Sequence, residues 1–322
     1  MRAFQVETIE TVPCLRDIAV PEPDANQVLV RIMACGLNFA DLLMIRGSYQ
    51  ERPALPFTLG MELAGVVTGV GRGVTTLSVG QRVAVFAGSG GLAEMGCFDA
   101  DACTPIPDAM PFTDAAAFQV AYGTSHLALD HRARLQPGET LLVMGAAGGV
   151  GLTAVEIGKR MGARVIATAR GAPKLEIARA AGADHVIDSD APSLREALQA
   201  LGGVDVVYDA VGGPAFTQAM RATKPEGRLI PIGFAGGEVP QIAANHLLVK
   251  NLTVIGLYWG GYLRFAPKTL SRSMTTLFDW YQNDGLRPHI SHRLPLARAQ
   301  EALDMLRDRK STGKIVITMT DD

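Results

Sequence analysis

A glycine-rich turn between an apolar strand and a helix most constrains the fold of this 322-residue chain. The apolar run 140–144 leads into the turn 145–151, after which a helical pattern begins. A helix N-terminus presents unpaired backbone N–H groups and the positive end of the helix dipole. Because Gly148, Gly149 and Gly151 lack side chains, a pyrophosphate can approach this backbone closely.

The turn departs in one place from the usual dinucleotide pattern G-x-G-x-x-G. Ala146 occupies the first glycine position, so the pattern here is A-x-G-x-x-G. A glycine run of this kind is a weak signal by itself. A tight strand–helix turn that binds no ligand therefore stays open as the alternative at this point.

Strands and helices alternate along the chain after the turn, which favours nucleotide binding. The predicted strands are 140–144, 164–169, 185–188, 204–209, 227–233 and 252–257. The predicted helices between them are 149–161, 172–181, 193–201 and 214–223. This order predicts an α/β fold with a doubly wound parallel sheet of the Rossmann type and right-handed crossovers.

The segments on either side of this region have different patterns. The first third is rich in predicted strands, at 28–34, 62–71 and 81–86, with a short helix at 38–46 and a helical pattern over 114–129. The last sixty residues contain predicted helices at 269–283 and 296–309 and a strand at 314–317. Two helices and one strand form a poor core alone, so we expect this tail to rejoin the first domain.

Composition excludes several classes of protein. Hydrophobic residues make up 48% and charged residues 19%, as in soluble globular enzymes. The net charge of −2 predicts no nucleic-acid partner. No signal peptide or membrane-spanning stretch is evident, so we expect a cytoplasmic protein without membrane contact. The four cysteines, Cys14, Cys35, Cys97 and Cys103, lack the spacing of a structural zinc site.

The end of the second predicted strand indicates which dinucleotide is bound. An acidic residue there would bind the ribose 2′-hydroxyl of NAD, but this chain has Arg170 and Lys174 and no carboxylate. A guanidinium can bind a 2′-phosphate through two hydrogen bonds. We therefore predict NADP(H) as the cofactor. Val211, Gly233 and Phe234 follow later strands, and we expect them to line the cofactor crevice.

Several motifs together resemble one known family. They are Asn38–Asp41, Leu55–Val67, Gly80–Val83, Ala146–Gly151 and Gly313–Val316. The chain resembles the zinc-independent quinone oxidoreductases, a zeta-crystallin-like branch of the medium-chain dehydrogenase/reductase superfamily, over essentially its whole length. The resemblance implies a β-rich GroES-like catalytic domain, residues 1–118 and 262–322, and a Rossmann NADP(H)-binding domain, residues 119–261. It also implies a homodimer.

The resemblance extends the set of expected cofactor-binding residues. That set is Thr124, Ala147, Gly148, Gly149, Val150, Arg170, Lys174, Ser189, Val211, Gly233, Phe234, Tyr258, Trp259 and Lys314. Ser189 stands where some members have a tyrosine, and a serine there can still hydrogen-bond to the 2′-phosphate but cannot stack or reach as far. The segment 257–262 is also compatible with a hinge or a dimer surface.

The positions that bind catalytic zinc in related alcohol dehydrogenases hold other residues here. Asn38 replaces a cysteine, Met61 replaces a histidine, and Val120 stands near the third ligand position. A catalytic zinc site needs three protein ligands with cysteine, histidine or carboxylate side chains. We therefore predict no metal.

Without a metal, the acceptor must carry the charge that hydride transfer produces. A quinone or conjugated enone spreads this charge onto its own oxygen. The resemblance implies that Asn38 and Tyr49 face the nicotinamide and the substrate, with Leu43 and Met61 in the substrate pocket. Leu43 stands where many members have a second tyrosine. Asp41 is expected to brace its loop.

Three functions are compatible with these features. The first is NADPH-dependent, metal-free hydride transfer to a small quinone or activated alkene. The second is reduction of enoyl thioesters, for which Arg46, Arg52, Arg264 and Lys268 would bind coenzyme A. The third is a cofactor-bound protein with a binding or structural role.

Overall fold

The computed structural model describes residues 1–319, which form two compact units. The first unit combines Met1–Val120 with the described residues from Phe278 onward, and the second is Ala121–Leu277. The sequence had placed these divisions at 118/119 and 261/262, so the second unit reaches further along the chain than expected.

Contacts within the second unit account for its longer extent. The rings of His131 and Tyr262 meet edge to face with centroids 5.9 Å apart. Further along, His126 Nδ1 and the Ser273 hydroxyl form a buried hydrogen bond of 2.8 Å. These contacts hold residues 262–273 against the helical segment that precedes the glycine turn.

The strands and helices of residues 1–319 follow in chain order. The strands are β1 (Arg2–Val6), β2 (Cys14–Asp17), β3 (Gln27–Gly36), β4 (Phe57–Thr58), β5 (Glu62–Val70), β6 (Arg82–Phe86), β7 (Met95–Asp99), β8 (Cys103–Pro105), β9 (Thr140–Met144), β10 (Arg164–Ala169), β11 (His185–Asp188), β12 (Val204–Asp209), β13 (Thr223–Pro231), β14 (Thr253–Val254), β15 (Ile290–Pro295) and β16 (Lys314–Thr318). The α-helices are α1 (Phe39–Ile45), α2 (Phe112–Ala116), α3 (Gln119–His126), α4 (Gly149–Arg160), α5 (Ala172–Ala180), α6 (Leu194–Ala200), α7 (Gly213–Ala222), α8 (Ala244–Lys250), α9 (Tyr262–Phe265), α10 (Pro267–Asn283) and α11 (Ala299–Arg307).

The second unit is the doubly wound parallel sheet that the sequence predicted. Its strand order is β11-β10-β9-β12-β13-β14, and neighbouring strands pair in parallel. All five residues of β9 are buried, as expected for a central strand covered by helices on both faces. The strand order reverses beside β9, and ligands of such sheets bind at the carboxyl ends of the strands there.

The first unit is built from two mainly antiparallel sheets. A small sheet has the order β2-β1-β4, and a larger one has the order β15-β16-β3-β5-β6-β8, with β7 also paired to β3. The last strand, β16, pairs antiparallel with β3, so the end of the chain completes the large sheet. This β-rich unit matches the expected GroES-like architecture.

Some elements differ from the sequence pattern. The apolar run 252–257 forms only the two-residue strand β14, followed by one further backbone hydrogen bond from Ile255 to Leu229. The pattern over 114–129 is divided between α2, α3 and a wider π-helical turn at Leu127–Arg132. A periodic pattern of apolar residues indicates which face of a helix is buried, but it does not indicate where the backbone changes direction. No helix within residues 1–319 has the length and apolarity needed to span a membrane.

Candidate functional site

A buried polar cluster in the first unit consists of Asn38, Asp41, Glu62 and Lys314. Lys314 opens β16, and its ammonium donates hydrogen bonds of 2.7 Å to Glu62 Oε1, Asn38 Oδ1 and the backbone carbonyl of Leu37. The side chains of Lys314 and Glu62 are only 5% and 1% exposed. All three ammonium donors are therefore used within the cluster.

The polar side-chain atoms of Glu62 and Asn38 also have hydrogen-bond partners inside the protein. Glu62 Oε1 also accepts a bond of 2.9 Å from Asn38 Nδ2, and Glu62 Oε2 accepts one of 2.9 Å from the backbone N–H of Val120. Asn38 Nδ2 further donates to the Gly36 carbonyl at 3.3 Å. Both N–H groups of the Asn38 amide thus have acceptors inside the protein, and its carbonyl oxygen is held by Lys314.

Asp41 braces the loop, as expected from the sequence. Its carboxylate accepts hydrogen bonds from the backbone N–H groups of Asn38 at 2.8 Å and Gly60 at 3.2 Å. The first of these completes a capping box at the start of α1. Complete burial raises the pKa of Asp41 to about 6, although both backbone bonds and the Lys314 charge act against this rise.

The three positions aligned with zinc ligands do not offer a metal its ligands. Asn38 is bonded as described, Met61 is a buried thioether, and Val120 contributes only its backbone N–H to Glu62. Within residues 1–319, no group of three or more histidine, cysteine, aspartate or glutamate side chains is placed to bind a metal ion. The ammonium of Lys314 already binds Glu62 Oε1 and Asn38 Oδ1.

The remaining site residues expected in the first unit lie near α1. Leu43 is half-buried within α1, and Tyr49 is half-buried in the turn that follows it. Hydrogen bonds from the backbone N–H and the hydroxyl of Ser48 to the Leu43 carbonyl, at 3.0 and 3.3 Å, form this turn. The same helix thus positions Asn38 at its N-cap, Leu43 in its last turn and Tyr49 just beyond its end.

The glycine turn has the backbone that the sequence predicted, and its glycines serve different purposes. Gly145 has a φ of +72°, which favours glycine. A Cβ on Gly151 would collide with the Gly145 carbonyl oxygen, so the chain crosses itself closely there. Gly148 has an ordinary φ of −81° and would meet only that same oxygen, at 3.4 Å. Neither protein packing nor backbone strain requires glycine at 148.

The start of α4 fits a bound pyrophosphate. Gly148 is its N-cap, no side chain caps the helix, and Gly149 and Val150 form the first turn directly after Ala147. Since Gly148 has no side chain to accept from the N–H groups of this turn, these groups are available to an anion. Open space beside Gly148 is what close approach of a phosphate would need.

The structure brings Arg170 and Ser189 together at the ends of β10 and β11. The backbone N–H of Ser189 donates to the Ala169 carbonyl at 2.9 Å, which fixes Ser189 beside Arg170. The exposed Arg170 guanidinium pairs with Asp190 at 3.3 Å. Lys174 lies half-buried in the first turn of α5. Asp190, which follows the third strand β11 rather than β10, was not predicted from the sequence as a neighbour of Arg170.

The loop after β12 contacts both the loop after β13 and the glycine turn. Asp209 is buried and accepts hydrogen bonds from the backbone N–H groups of Val211 and Gly212, at 2.8 to 3.1 Å. Burial raises the pKa of Asp209, while these backbone bonds lower it. A Cβ on Gly145 would be 3.1 Å from Val211, and one on Gly212 would be 3.1 Å from Phe234.

The aromatic segment after β14 packs against α3 within the second unit. Trp259 is buried, and its indole would be 2.6 Å from a Cβ on Gly123, the residue before Thr124. Tyr258 lies against Gly261, 2.9 Å from the Cβ position. These expected cofactor residues, Thr124, Tyr258 and Trp259, therefore belong to one packed region.

A half-buried acid on α4, Glu156, was not predicted from the sequence. The Tyr122 hydroxyl donates a hydrogen bond of 2.6 Å to Glu156 Oε2. Burial raises the pKa of Glu156 to about 7, and the Tyr122 bond and the charge of Arg160 lower it. Glu156 lies at a position that the helical pattern alone would assign to the surface. Glu62 was also missed as a site residue, although it directly follows the Met61 that replaced a zinc ligand.

Family models match both parts of the chain. One described as "Alcohol dehydrogenase GroES-like domain" matches residues 24–108, and one described as "Zinc-binding dehydrogenase" matches residues 149–279. The chain is also 43% identical over 298 residues to the Quinone oxidoreductase-like protein 2 homolog of Nematostella vectensis. This match covers 91% of the chain and 81% of the relative.

Solved structures of similar proteins include enzymes crystallised with NADPH. The quinone oxidoreductase of Thermus thermophilus, studied alone and with NADPH, is 33% identical with a TM-score of 0.87. The Escherichia coli quinone oxidoreductase complexed with NADPH is 28% identical with a TM-score of 0.91. Both matches cover 99% of this chain and 100% of the other.

The buried ion pair predicts a large and correctable loss of stability. Changing Lys314→Met leaves the Glu62 carboxylate buried without its ammonium, which we expect to lower the free energy of unfolding by about 3–5 kcal/mol. Adding Glu62→Gln should recover part of this loss. Calorimetric melting of the unchanged protein, the Lys314→Met variant and the Lys314→Met/Glu62→Gln double variant measures the loss and its recovery. Arg298→Met, which breaks the exposed pair with Glu301, should change the stability far less, because solvent screens exposed ion pairs. Equal losses of stability in Lys314→Met and Arg298→Met would contradict the prediction.

The raised pKa of Glu156 predicts a pH-dependent stability. The folded state keeps its proton up to a pKa of about 7, against an ordinary value of 4.5, so this contribution is lost as pH rises through that window. Changing Glu156→Gln keeps an acceptor for Tyr122 and should remove about 2 kcal/mol of the fall between pH 5 and 8. Melting at both pH values tests this, with exposed Glu176→Gln as control. An unchanged fall in Glu156→Gln would refute it.

Proposed function

We propose, since this chain belongs to the quinone oxidoreductase-type family of medium-chain dehydrogenases/reductases, that it reduces quinones or activated alkenes with NADPH and without a metal. The observation that carries the proposal is the buried polar cluster. Asn38, which stands where related alcohol dehydrogenases hold a zinc ligand, and Glu62, which follows a second such position at Met61, bind the ammonium of Lys314 through their oxygens. An oxidoreductase built this way needs an acceptor that stabilises its own negative charge.

The second unit supplies the support for NADPH. We assign the pyrophosphate to Ala147, Gly148, Gly149 and Val150, because the helix N-terminus is uncapped by side chains and Gly148 has open space. We assign the remaining contacts to the loops and packed aromatic residues described above. They are Thr124, Val211, Gly233, Phe234, Tyr258 and Trp259.

The 2′-phosphate of NADPH is assigned to Arg170, Lys174 and Ser189. Arg170 and Ser189 are adjacent, and Lys174 follows in the first turn of α5. The exposed ion pair between Arg170 and Asp190 is weak enough to rearrange, since exposed pairs contribute about 0–1 kcal/mol. A dianionic phosphate offers the guanidinium a stronger partner than one carboxylate.

The buried polar cluster has a positioning role in this proposal. Lys314 was expected to bind the cofactor, but its three donors already have acceptors in the first unit. We therefore assign it to holding Asn38 in one orientation. The Asn38 amide, with both N–H groups bonded, acts as a fixed surface rather than as a donor to the substrate oxygen.

The remaining residues near α1 receive the acceptor. The chemistry that NADPH would supply, when bound, is a hydride for a carbon of the acceptor. We propose that the Tyr49 hydroxyl, or a water beside it, donates a hydrogen bond and then a proton to the acceptor oxygen, and that Tyr49 regains a proton from solvent. The enol formed from an enone then tautomerises to the saturated ketone, and the dienone formed from a quinone tautomerises to the hydroquinone. Leu43 and Met61 form apolar walls against the ring or alkene. The homodimer implied by the family resemblance stays a prediction.

A panel of acceptors tests the function. NADPH oxidation should be fast with 1,4-benzoquinone or a simple enone and slower with crotonyl-CoA, in each case unchanged after incubation with a chelator. A faster reaction with crotonyl-CoA would favour enoyl thioester reduction. No turnover of any acceptor, with NADPH still bound, would favour a binding role. Activity lost to the chelator and restored by zinc would overturn the metal-free mechanism.

A charge reversal at Arg170 tests the cofactor assignment. Arg170→Glu places a carboxylate where the 2′-phosphate is expected, so the Kd for NADPH should rise about tenfold or more. The Kd for NADH, which lacks this phosphate, should change much less. Fluorescence titration with both cofactors measures the two values. Arg179→Glu reverses a nearby α5 charge that is paired with Glu176 and is the matched control. Equal effects on both cofactors would disprove the assignment.

A further inference from the structure

The second unit contains a cavity that none of the proposed cofactor or catalytic residues lines. Its volume is about 340 Å³, which lies within the range of small-molecule sites. The buried side chains of Met220 and Leu252 form apolar walls, and the highly exposed Val249 marks an open side. The cavity is therefore accessible and can receive a short apolar group.

The cavity lies at the edge of the sheet opposite the glycine turn. The turn follows the carboxyl end of β9, whereas Leu252 immediately precedes β14 and Lys250 bonds the carbonyl of Thr223, the first residue of β13. These strands belong to one parallel sheet, so their amino ends share the edge away from the turn. A ligand in the cavity would not share the cofactor's phosphate cradle.

Three cationic side chains and no acidic one line the cavity. They are Arg195 near the start of α6, Arg221 near the end of α7 and Lys250 at the end of α8. Within residues 1–319, neither guanidinium forms an ion pair with a carboxylate. Burial and the neighbouring Arg195 charge lower the pKa of Lys250, so two of these charges already repel each other.

The polar groups around the cavity retain donors that the protein does not use. Lys250 donates to the carbonyls of Arg221 at 2.7 Å and Thr223 at 2.8 Å, which leaves one of its three N–H groups. His246 also lines the cavity, and its buried Nδ1 has no hydrogen-bond partner in the described part of the chain. The hydrogen bonds to carbonyls at the end of α7 account for the position of Lys250. They do not account for the positions of Arg195, Arg221 and His246.

We propose that this cavity binds a small amphiphilic anion, such as an alkyl phosphate, at a site separate from the cofactor. The anionic head would bind Arg195, Arg221 and the remaining donor of Lys250, and would relieve the repulsion among these cations. The alkyl chain would pack on Met220 and Leu252. An anion and an apolar tail together match a cavity with a cationic rim and apolar walls.

Binding of monomeric hexyl phosphate to the full-length protein tests the proposal. Isothermal titration calorimetry, with and without saturating NADPH, should give one site per chain in both conditions, weakened by added salt. The double variant Arg195→Gln/Arg221→Gln should raise the Kd for hexyl phosphate at least tenfold and leave the Kd for NADPH within twofold. Arg72→Gln/Arg272→Gln removes the same charge from two exposed positions away from the cavity and should change neither value. Hexanol should not bind.

Four outcomes would overturn the proposal. They are absence of saturable hexyl phosphate binding, binding that survives in Arg195→Gln/Arg221→Gln, competition between hexyl phosphate and NADPH, and equal binding of hexanol. Sedimentation with phosphatidylglycerol vesicles separates a membrane surface from a small-molecule site. Binding to vesicles alone, lost in the same double variant, would replace the proposed ligand with a lipid surface.

Discussion

The ion pair between Lys314 and Glu62 is the interaction on which the first unit depends. Removing both charges from water costs several kcal/mol each, so the pair persists only because every donor and acceptor around it is used. The two residues are 252 positions apart in sequence. Their ion pair links β16, which begins at Lys314, to β5, which begins at Glu62. The Asn38 side chain hydrogen-bonds to both residues. The orientation of Asn38 at the start of α1 therefore depends on Lys314 in β16.

The two units prepare their chemistry in opposite ways. In the first, Lys314, Glu62 and Asn38 hydrogen-bond one another, and among the described residues no group of three or more acidic, cysteine or histidine side chains is placed to bind a metal ion. In the second, no side chain caps the backbone N–H groups at the start of α4. The space beside Gly148 is not filled by other side chains. A closed cluster favours orientation of an acceptor that carries its own charge, and an open helix end favours an anionic cofactor.

Local patterns in the sequence predicted much of the second unit. β9, β10, β11 and β12 have the predicted bounds because each is an apolar run set off by turn residues. The run at 252–257 was predicted as a full strand, yet only β14 forms, because pairing with β13 ends there. Apolar composition favours burial, but strand length depends on a neighbour that lies elsewhere in the sequence.

The sequence by itself determined the doubly wound sheet, the glycine-rich turn and the residue types at Asn38 and Met61, since these follow from local spacing and residue type. Only the tertiary structure decided what Lys314 binds and that the Asn38 amide has no N–H left to donate. It also decided that Arg170 faces Asp190. The reason is that hydrogen bonds and ion pairs are satisfied by whichever groups the fold brings within about 3 Å, and sequence distance does not limit them.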